Sequence, residues 1–310
     1  MKILIPDTID LLLETDADVV VYDVAADIPA AHHDADVLVA WHNSSEQLRR
    51  AARSLTGLRL VQALASGADV VLAAGFGDDV RICSGRSLHD GPVAEHTLAL
   101  ILSAVRRLDA LGAAQRAHRW ADEVVHAQAA PATRDQYTLA GARVTIWGFG
   151  SIAARLTPLL QMLGADVQGI ARTPGIRSGV SVHADADAPR ILAETDLLVS
   201  LLPATDDTAG LFDDRVFGML KPGAVFVNVG RGATVDEDAL VAALGSGRLR
   251  AAAVDVTRQE PLPADSPLWD VPNLVITPHV AGNRPIGASA LVDQNIARLL
   301  SGDELVNRVR

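Results

Sequence analysis

The sequence of 310 residues has a single cysteine, Cys83, so no disulfide can form within the chain. Its nine histidines are scattered and form no cluster with the cysteine, and we therefore expect no metal site. No apolar run reaches the roughly 18 residues that a membrane-spanning helix needs. The opening stretch, MKILIPDTID, also holds too short an apolar run for a signal peptide. These absences predict a cytoplasmic protein.

Clusters of basic residues are absent as well. Lys and Arg number 27 against 38 Asp and Glu, which gives a formal net charge of −11. A surface of this sign disfavours nucleic acid and acidic membranes as partners, because both need clustered Lys and Arg. The expected ligand is a small molecule. At 49% hydrophobic residues, the chain is also apolar and long enough to bury two medium-sized cores.

Short apolar runs that are typical of strands buried on both faces recur through the first third of the chain. Between two of them, residues 44–55 carry apolar side chains, from Leu48 to Leu55, on one helical face. This alternation of strand and helix predicts a parallel α/β unit. The predicted strands are residues 2–6, 18–23, 36–41, 58–64, 69–74 and 80–84.

The pattern changes at Pro92, where a long helix without an internal turn signal is predicted over residues 92–111. A polar, irregular stretch over 117–136 follows, with Trp120 as its one large apolar residue. Strands and helices then alternate again, and a last amphipathic helix over 286–306 returns to the first domain. The predicted strands of the second domain are 143–148, 165–171, 196–202, 224–230, 250–256 and 273–279, and the predicted domains are 1–90 with 285–310, and 91–284.

A glycine-rich turn joins the first strand of the second domain to a predicted helix. Its sequence GFGSIA places Gly148 and Gly150 in the first two positions of the G-x-G-x-x-G/A fingerprint and Ala153 in the third. Gly148 would form the tight turn, and Gly150 would let the backbone approach a pyrophosphate. The N–H groups of Ser151 and Ile152, at the start of the helix, would hold its charge. Strand, turn and helix together predict a dinucleotide site.

The end of the following strand indicates which dinucleotide is bound. An acid there would bind the ribose 2′-OH of NAD, but Ala171 occupies the position and Arg172 follows it. An Arg can pair with a 2′-phosphate, which a carboxylate would repel. We therefore predict NADP(H) as the preferred cofactor, with NAD(H) as the second choice. The alternative is that Arg172 is a solvated loop residue, and Arg177 is a further candidate for the phosphate.

Four segments closely resemble, in order and spacing, the signature blocks of the D-isomer-specific 2-hydroxyacid dehydrogenases. The resemblance is strong in the second domain and looser over residues 1–60. It implies an α/β fold of two doubly wound parallel-sheet domains, a flavodoxin-like substrate domain and a Rossmann dinucleotide-binding domain. The segments are PVAEHTLALIL, LLPATDDTAGLF, MLKPGAVFVNVGRGATVDEDAL and AAAVDVTRQEPLPADSPLWDVPNLVITPHVAG, at residues 92–102, 201–212, 219–240 and 251–282.

The family pattern implies a catalytic trio of Arg231, Glu260 and His279. Reduction of a 2-oxo acid needs a hydride on carbon, a proton on oxygen and a carboxylate held in place. The planar fork of Arg231 suits the carboxylate, and His279 suits the proton because imidazole titrates near neutral pH. Glu260 would accept the other imidazole N–H and orient the ring. Singly, each could be an ordinary loop residue, but the three together indicate catalysis, with Arg231 and His279 also contacting the substrate.

Other positions are assigned by the same resemblance. LASGAD matches a loop in which the backbone N–H groups of Ser66 and Gly67 hold the substrate carboxylate, with an ordinary strand turn as the alternative. Asp255 matches a position that orients the nicotinamide amide. A loop over the cofactor is implied for Leu202, Pro203 and Thr208.

Two aromatic positions have less certain roles. Trp41, with His42, ends a predicted strand and is either a substrate-binding residue that shapes substrate choice or a plain core residue. His96 is interpreted as a core histidine of its helix rather than a ligand.

No Arg of the first domain is clearly placed to bind a second acidic group. This favours small 2-oxo acids such as glyoxylate or hydroxypyruvate as substrates. The alternatives are an enzyme that acts on a small anion such as formate or phosphite, and a non-catalytic, dinucleotide-sensing protein of the corepressor kind. A homodimer is predicted from the resemblance and from the length of the irregular stretch over 117–136.

Overall fold

The computed structural model describes all residues from Met1 to Arg310 and divides into two compact units. Unit 1 combines Met1–His89 with Asn283–Arg310, and unit 2 is the continuous segment Asp90–Gly282. No helix of the protein has both the length and the apolar character needed to cross a membrane.

The centre of unit 1 is a five-stranded sheet in which every neighbouring pair is parallel. The strand order is β2-β1-β3-β4-β5, which is the flavodoxin-like order. The expectation of a flavodoxin-like α/β domain is confirmed. The strands are β1 (Lys2–Pro6), β2 (Asp18–Tyr22), β3 (Val37–Ala40), β4 (Leu60–Ala63) and β5 (Arg81–Cys83).

Three helices flank this sheet: α1 (Ser45–Ser54), α2 (Asp69–Leu72) and α10 (Ala288–Ser301). The Ser44 hydroxyl caps α1 by accepting the Gln47 N–H at 3.1 Å. Helix α10 buries its apolar face in the core of unit 1. The last predicted helix is present as α10, which belongs to unit 1.

The prediction of a strand over residues 69–74 is wrong, because this segment forms α2 and a turn. A further parallel strand would need a crossover of about a dozen residues or more after β4, and the chain between β4 and Asp69 is too short for one. Val71 is buried in this segment, whereas Val70 and Leu72 are exposed. An apolar run of this length does not distinguish a buried strand from a short helix.

Unit 2 contains an eight-stranded sheet in the order β13-β12-β11-β10-β6-β7-β9-β8. All pairs are parallel except β8 with β9, a short hairpin at the edge that the sequence pattern did not reveal. The direction of strand succession reverses between β6 and β10, so the ligand crevice of a doubly wound sheet is expected there. The strands are β6 (Arg143–Trp147), β7 (Asp166–Ile170), β8 (Gly175–Arg177), β9 (Val180–His183), β10 (Leu197–Ser200), β11 (Ala224–Asn228), β12 (Leu249–Val254) and β13 (Leu274–Ile276).

Alternate residues of these strands point into two separate cores. Val225 and Val227 pack with α3 and α6 on one face of the sheet, and Phe226 packs with α7, α8 and α9 on the other. Both faces are covered, as a doubly wound sheet requires. The helices are α3 (Asp90–Arg106), α4 (Leu108–Arg116), α5 (Asp122–Ala129), α6 (Ser151–Met162), α7 (Ala188–Leu192), α8 (Asp214–Met219) and α9 (Glu237–Gly245).

Two expectations for the start of unit 2 need correction. The long predicted helix is broken at Arg107, which has a left-handed backbone with φ of 56°. The Arg107 guanidinium donates to both carboxylate oxygens of Asp109, at 3.1 and 3.0 Å, and so stabilises the break. The stretch 117–136 is also not irregular throughout, because it contains α5 and part of a 3-10 turn at Arg134–Tyr137.

Candidate active site

The glycine turn lies at the carboxyl end of β6, at the switch point of the sheet. Gly148 has φ of 101°, and a Cβ atom there would lie 2.8 Å from the carbonyl carbon and oxygen of Leu201, so no larger residue fits. A Cβ atom on Gly150 would meet no atom within 4 Å. The space beside Gly150 is therefore open to a ligand, while Gly148 is required by the fold.

Helix α6 begins directly after this turn and presents free donors. The Ala154 N–H bonds back to the Gly150 carbonyl at 3.0 Å, but the Ser151 and Ile152 N–H groups have no acceptor in the chain. Ala153, the third fingerprint residue, is fully buried in the core. The turn thus offers unpaired N–H groups beside open space, which suits a pyrophosphate.

Two arginines follow β7, and the structure gives them different surroundings. Arg172 is exposed and makes no hydrogen bond or ion pair. Arg177, on β8, donates to the Phe149 carbonyl at 2.8 Å and to the Thr173 carbonyl at 2.6 Å, so it braces the glycine turn. Arg172 is the arginine with all its donors free for a phosphate, and its role stays a prediction.

The loop after β10 is organised by one hydroxyl group. Thr208 Oγ1 donates to the Pro203 carbonyl at 2.6 Å and accepts the Thr205 N–H at 2.8 Å. At the start of the loop, the Leu202 carbonyl oxygen would lie 2.5 Å from a Cβ atom at Gly230. This loop therefore packs closely on the backbone that leads to Arg231.

Arg231 lies in the turn that follows β11. Its carbonyl accepts hydrogen bonds from Asn228 Nδ2 at 3.2 Å and from Thr234 Oγ1 at 2.7 Å, and both of these side chains are buried. Its guanidinium donates to the Gly230 carbonyl at 2.8 Å and has no carboxylate partner in the chain. The backbone is held while the remaining donors stay available for an anion.

Thr257 joins the Arg231 turn to the segment that carries Glu260. A Cβ atom at Gly232 would collide with the Thr257 carbonyl, so these two backbones are in direct contact. The Thr257 N–H also donates to Glu260 Oε1 at 3.1 Å. Because of this close approach, Gly232 can be replaced by no residue with a side chain unless one of the two backbones moves.

Glu260 and His279 are in direct contact. The imidazole Nδ1 lies 2.7 Å from Glu260 Oε2, so Nδ1–H donates to the carboxylate. Nε2 has no partner in the chain and is left to face a ligand. Since β11, β12 and β13 are parallel neighbours, the segments bearing Arg231, Glu260 and His279 leave the same edge of the sheet.

Asp255, directly after β12, is buried and forms hydrogen bonds with residues on both sides of His279. Its carboxylate accepts the Thr277 hydroxyl at 2.6 Å and the N–H groups of Val280 and Ala281 at 3.0 Å each. Its backbone carbonyl accepts the His279 N–H at 2.7 Å. These contacts serve the His279 turn, and the expected contact with a nicotinamide amide stays a prediction.

The remaining candidate residues belong to unit 1. Ser66 and Gly67 follow β4, and neither N–H donates a hydrogen bond within the chain. Trp41 follows β3, is largely buried, and stacks on His42 and His89 with ring centroids 4.4 and 5.4 Å apart. The structure therefore places these three residues at the carboxyl edge of the first sheet.

Comparison with known proteins identifies the family. Residues 98–281 match the family described as D-isomer specific 2-hydroxyacid dehydrogenase, NAD binding domain. The chain belongs to this family. The family resemblance and the fold inferred from the sequence are both confirmed.

Three relatives of this family show the extent of the match. Glyoxylate/hydroxypyruvate reductase A of Citrobacter koseri is 31% identical over 291 residues, which are 91% of this chain and 88% of the relative. A dehydrogenase of the family from Xanthobacter autotrophicus Py2, solved with NADPH and MES, has a TM-score of 0.79 at 30% identity and covers 100% and 97% of the two chains. The NADPH-dependent glyoxylate/hydroxypyruvate reductase of Sinorhizobium meliloti, solved with NADP and sulfate, has a TM-score of 0.79 at 28% identity and covers 99% and 97%.

Sequence reasoning missed two residues that shape this family site. Thr257 and Asn228 hold the backbones of the Glu260 and Arg231 segments. Their polar side chains at strand ends were visible in the sequence. A polar residue beside a candidate catalytic residue was the available signal, but the partner atoms could not be inferred from it.

Proposed function

We infer that this chain is an oxidoreductase that reduces a small 2-oxo acid to the D-2-hydroxy acid with NADPH, and catalyses the reverse oxidation with NADP⁺. The observation that carries this inference is the hydrogen-bonded pair of His279 and Glu260, linked through Thr257 to the Arg231 turn. A proton donor and an unpaired guanidinium thus leave the same sheet edge at which the glycine turn offers its free N–H groups.

Each residue of the trio has one task in the reduction. Arg231 binds the substrate carboxylate through its free guanidinium N–H groups, which fixes the carbonyl group next to it. His279 donates the proton on Nε2 to the carbonyl oxygen as that oxygen gains negative charge. Glu260 accepts the Nδ1–H, keeps the ring oriented and balances the imidazolium charge. The bound nicotinamide supplies the hydride that the carbonyl carbon receives.

The residues of unit 2 fit a phosphorylated dinucleotide. The open space at Gly150 and the N–H groups of Ser151 and Ile152 suit the pyrophosphate, and the free Arg172 suits the 2′-phosphate. The Xanthobacter and Sinorhizobium relatives were solved with NADPH and NADP. NADP(H) is the preferred cofactor and NAD(H) the second choice. Leu202, Pro203 and Thr208 would cover it, and Asp255 would border the nicotinamide.

Unit 1 is proposed as the substrate domain and unit 2 as the dinucleotide-binding domain. In unit 1, the free N–H groups of Ser66 and Gly67 suit a carboxylate, and Trp41 would limit the size of the substrate. The relatives from Citrobacter and Sinorhizobium are named for glyoxylate and hydroxypyruvate. Acids of this size are therefore the proposed substrates.

A homodimer is proposed as the working assembly. In the segment 117–136, Trp120 has 79% of its surface exposed and Val125 50%, and a partner that covered them would remove this apolar surface from water. A second copy of the chain is the proposed partner. The cytoplasmic location expected from the sequence stays a prediction.

The test of the cofactor and substrate is a kinetic comparison. Oxidation of NADPH and NADH would be followed with glyoxylate, hydroxypyruvate and larger 2-oxo acids. Reduction of NADP⁺ and NAD⁺ would be followed with formate and phosphite. Arg172→Ala should lower kcat/KM for NADPH and leave that for NADH unchanged. Arg190→Ala, which removes another exposed and unpaired arginine of unit 2 on α7, is the matched control and should change neither. A wild-type preference for NADH, or reduction of no 2-oxo acid, would contradict the proposal.

A further inference from the structure

His96 contacts the support of the His279 turn, although the sequence suggested only a core histidine. It lies on α3, which packs against β12 and β13, and its side chain keeps 24% of its surface exposed. His96 Nε2 is 3.0 Å from Thr277 Oγ1 and 3.4 Å from Asp255 Oδ1. Both partners lie directly beside the segment that presents His279.

The position of the hydrogen atoms follows from the donors available. Thr277 has one hydroxyl hydrogen, and the 2.6 Å contact directs it to Asp255 Oδ1, which as a carboxylate oxygen can only accept. In its contact with His96, Thr277 Oγ1 must then accept. His96 therefore carries a hydrogen on Nε2 and donates a hydrogen bond to Thr277 Oγ1, while Asp255 Oδ1 lies 3.4 Å from the same nitrogen.

Asp255 needs these donors because its carboxylate is 1% exposed. A buried carboxylate is destabilising unless hydrogen bonds replace its lost hydration. Its donors are the Thr277 hydroxyl and the N–H groups of Val280 and Ala281. His96 bonds to the oxygen of the first of these donors, with its own Nε2 3.4 Å from the carboxylate, and so holds the Thr277 hydroxyl in place.

The His279 turn needs external support. His279 has φ of 53°, in the left-handed region that is unfavourable for a residue other than glycine. Its own N–H is held by the Asp255 carbonyl, and the next two N–H groups are held by the Asp255 carboxylate. Any movement of Asp255 or Thr277 would therefore move the His279 backbone, and with it the imidazole.

We propose that His96 is a positioning residue for His279, acting by donating a hydrogen bond from Nε2 to Thr277 Oγ1, which in turn donates to Asp255. This inference rests on the proposed function, since it assigns His96 to the orientation of the proton donor. His96 itself does not exchange a proton with the substrate. Its effect should appear in kcat, because a proton donor that is displaced by about 1 Å can lower the rate by about 100-fold.

Three variants and a control test the proposal. His96→Leu removes the donor and keeps an apolar side chain on α3, and should lower kcat about 10- to 100-fold with KM for NADPH unchanged. His96→Gln keeps an N–H donor and should recover most of that loss. Thr277→Val removes both the acceptor of His96 and the hydroxyl that donates to Asp255, so it should lower kcat at least as far as His96→Leu. The double variant should be no worse than Thr277→Val alone. Thr97→Val removes a buried hydroxyl that bonds only to the Val93 carbonyl within α3, and should leave kcat unchanged.

A spectroscopic readout separates this proposal from the proposed function. In ¹⁵N NMR spectra of wild-type protein, His96 should carry a proton on Nε2, and the His279 ring signals should shift in His96→Leu but not in Thr97→Val. If the wild type reduces no 2-oxo acid, the proposed function fails, while these spectra still test the position of His279. Unshifted His279 signals, a proton on Nδ1 only, or a kcat of His96→Leu equal to that of wild type would overturn the proposal.

Discussion

The two glycines of the fingerprint make a matched pair of substitutions with opposite expected outcomes. Gly150→Ala adds a methyl group where no atom lies within 4 Å, at a backbone φ of −109° that alanine can adopt. Alanine lowers the entropy of the unfolded chain, which stabilises by about 0.4–1 kcal/mol. It is also a poorer N-cap than glycine, which costs about 0.5–1 kcal/mol. The two effects oppose each other, so Tm should change little.

Cofactor binding by Gly150→Ala should be impaired despite the intact fold. The added methyl group fills the space through which a pyrophosphate would reach the Ser151 and Ile152 N–H groups. Losing one hydrogen bond to a charged group costs about 1.5–3 kcal/mol, which corresponds to roughly 10- to 150-fold weaker binding. NADPH and NADH should lose affinity by the same factor, because both carry the pyrophosphate.

Gly148→Ala is the control, since its added methyl group meets protein rather than ligand. A φ of 101° and a Cβ atom 2.8 Å from the Leu201 carbonyl predict a loss of at least about 1–2 kcal/mol, or a Tm lower by about 2–8 °C. Calorimetry would measure Tm, and the fluorescence of bound NADPH would measure Kd. If Gly150→Ala binds NADPH as tightly as wild type, or if its Tm falls as far as that of Gly148→Ala, the role of Gly150 is misassigned.

The other predictions concern the proposed catalytic trio, the buried Cys83 thiol and the proposed homodimer. His279→Ala should lower kcat by about 10²- to 10⁴-fold with a smaller change in KM. Arg231→Ala should lower kcat and also raise KM. Steady-state kinetics with glyoxylate would measure both parameters for each variant. Burial raises the pKa of the Cys83 thiol to about 11, so the native protein should react slowly with a thiol reagent at pH 8 and faster toward pH 10, while the unfolded chain reacts at once. Rapid labelling of native protein at pH 8 would contradict that burial. Trp120→Ser should weaken dimerisation in sedimentation experiments, and a wild-type monomer at micromolar concentration would disprove the dimer.

The sequence predicted the strands of both sheets well where they are buried on both faces. Residues 224–227, for example, are all apolar because helices cover the sheet on each side. The same pattern failed for residues 69–74, where a short apolar run forms α2 and a turn. It also missed the hairpin of β8 and β9, in which no residue of β8 is buried and only alternate residues of β9 are. The apolar pattern of a sequence therefore predicts central strands correctly, but it does not predict edge strands or distinguish strand from helix in short segments.

The site divides in a similar way between residues found from sequence and residues found only in the structure. Arg231, Glu260 and His279 could be proposed because their segments resemble the family's signature blocks, and the proposed reaction gives each of these side chains a task. The close contact of Gly232 with Thr257 could not be inferred, since it depends on the distance between two backbones that the sequence does not encode locally. A glycine in a sequence can indicate that space is limited or that φ is unusual. It does not show which atoms a side chain at that position would contact.

The contact between His96 and Thr277 is the clearest example of a contact that could not be predicted from the sequence. The two residues are separated by 181 positions, and each has an ordinary local explanation, one as a helix residue and the other as a strand end. Only the packing of α3 on β12 and β13 brings them within hydrogen-bond distance. Once they are adjacent, hydrogen counting alone assigns the donor, because Thr277 has one hydrogen and Asp255 takes it. The support of the proposed proton donor is thus set by which elements of the fold pack together, whereas His279 itself is assigned from a sequence pattern that resembles the family's.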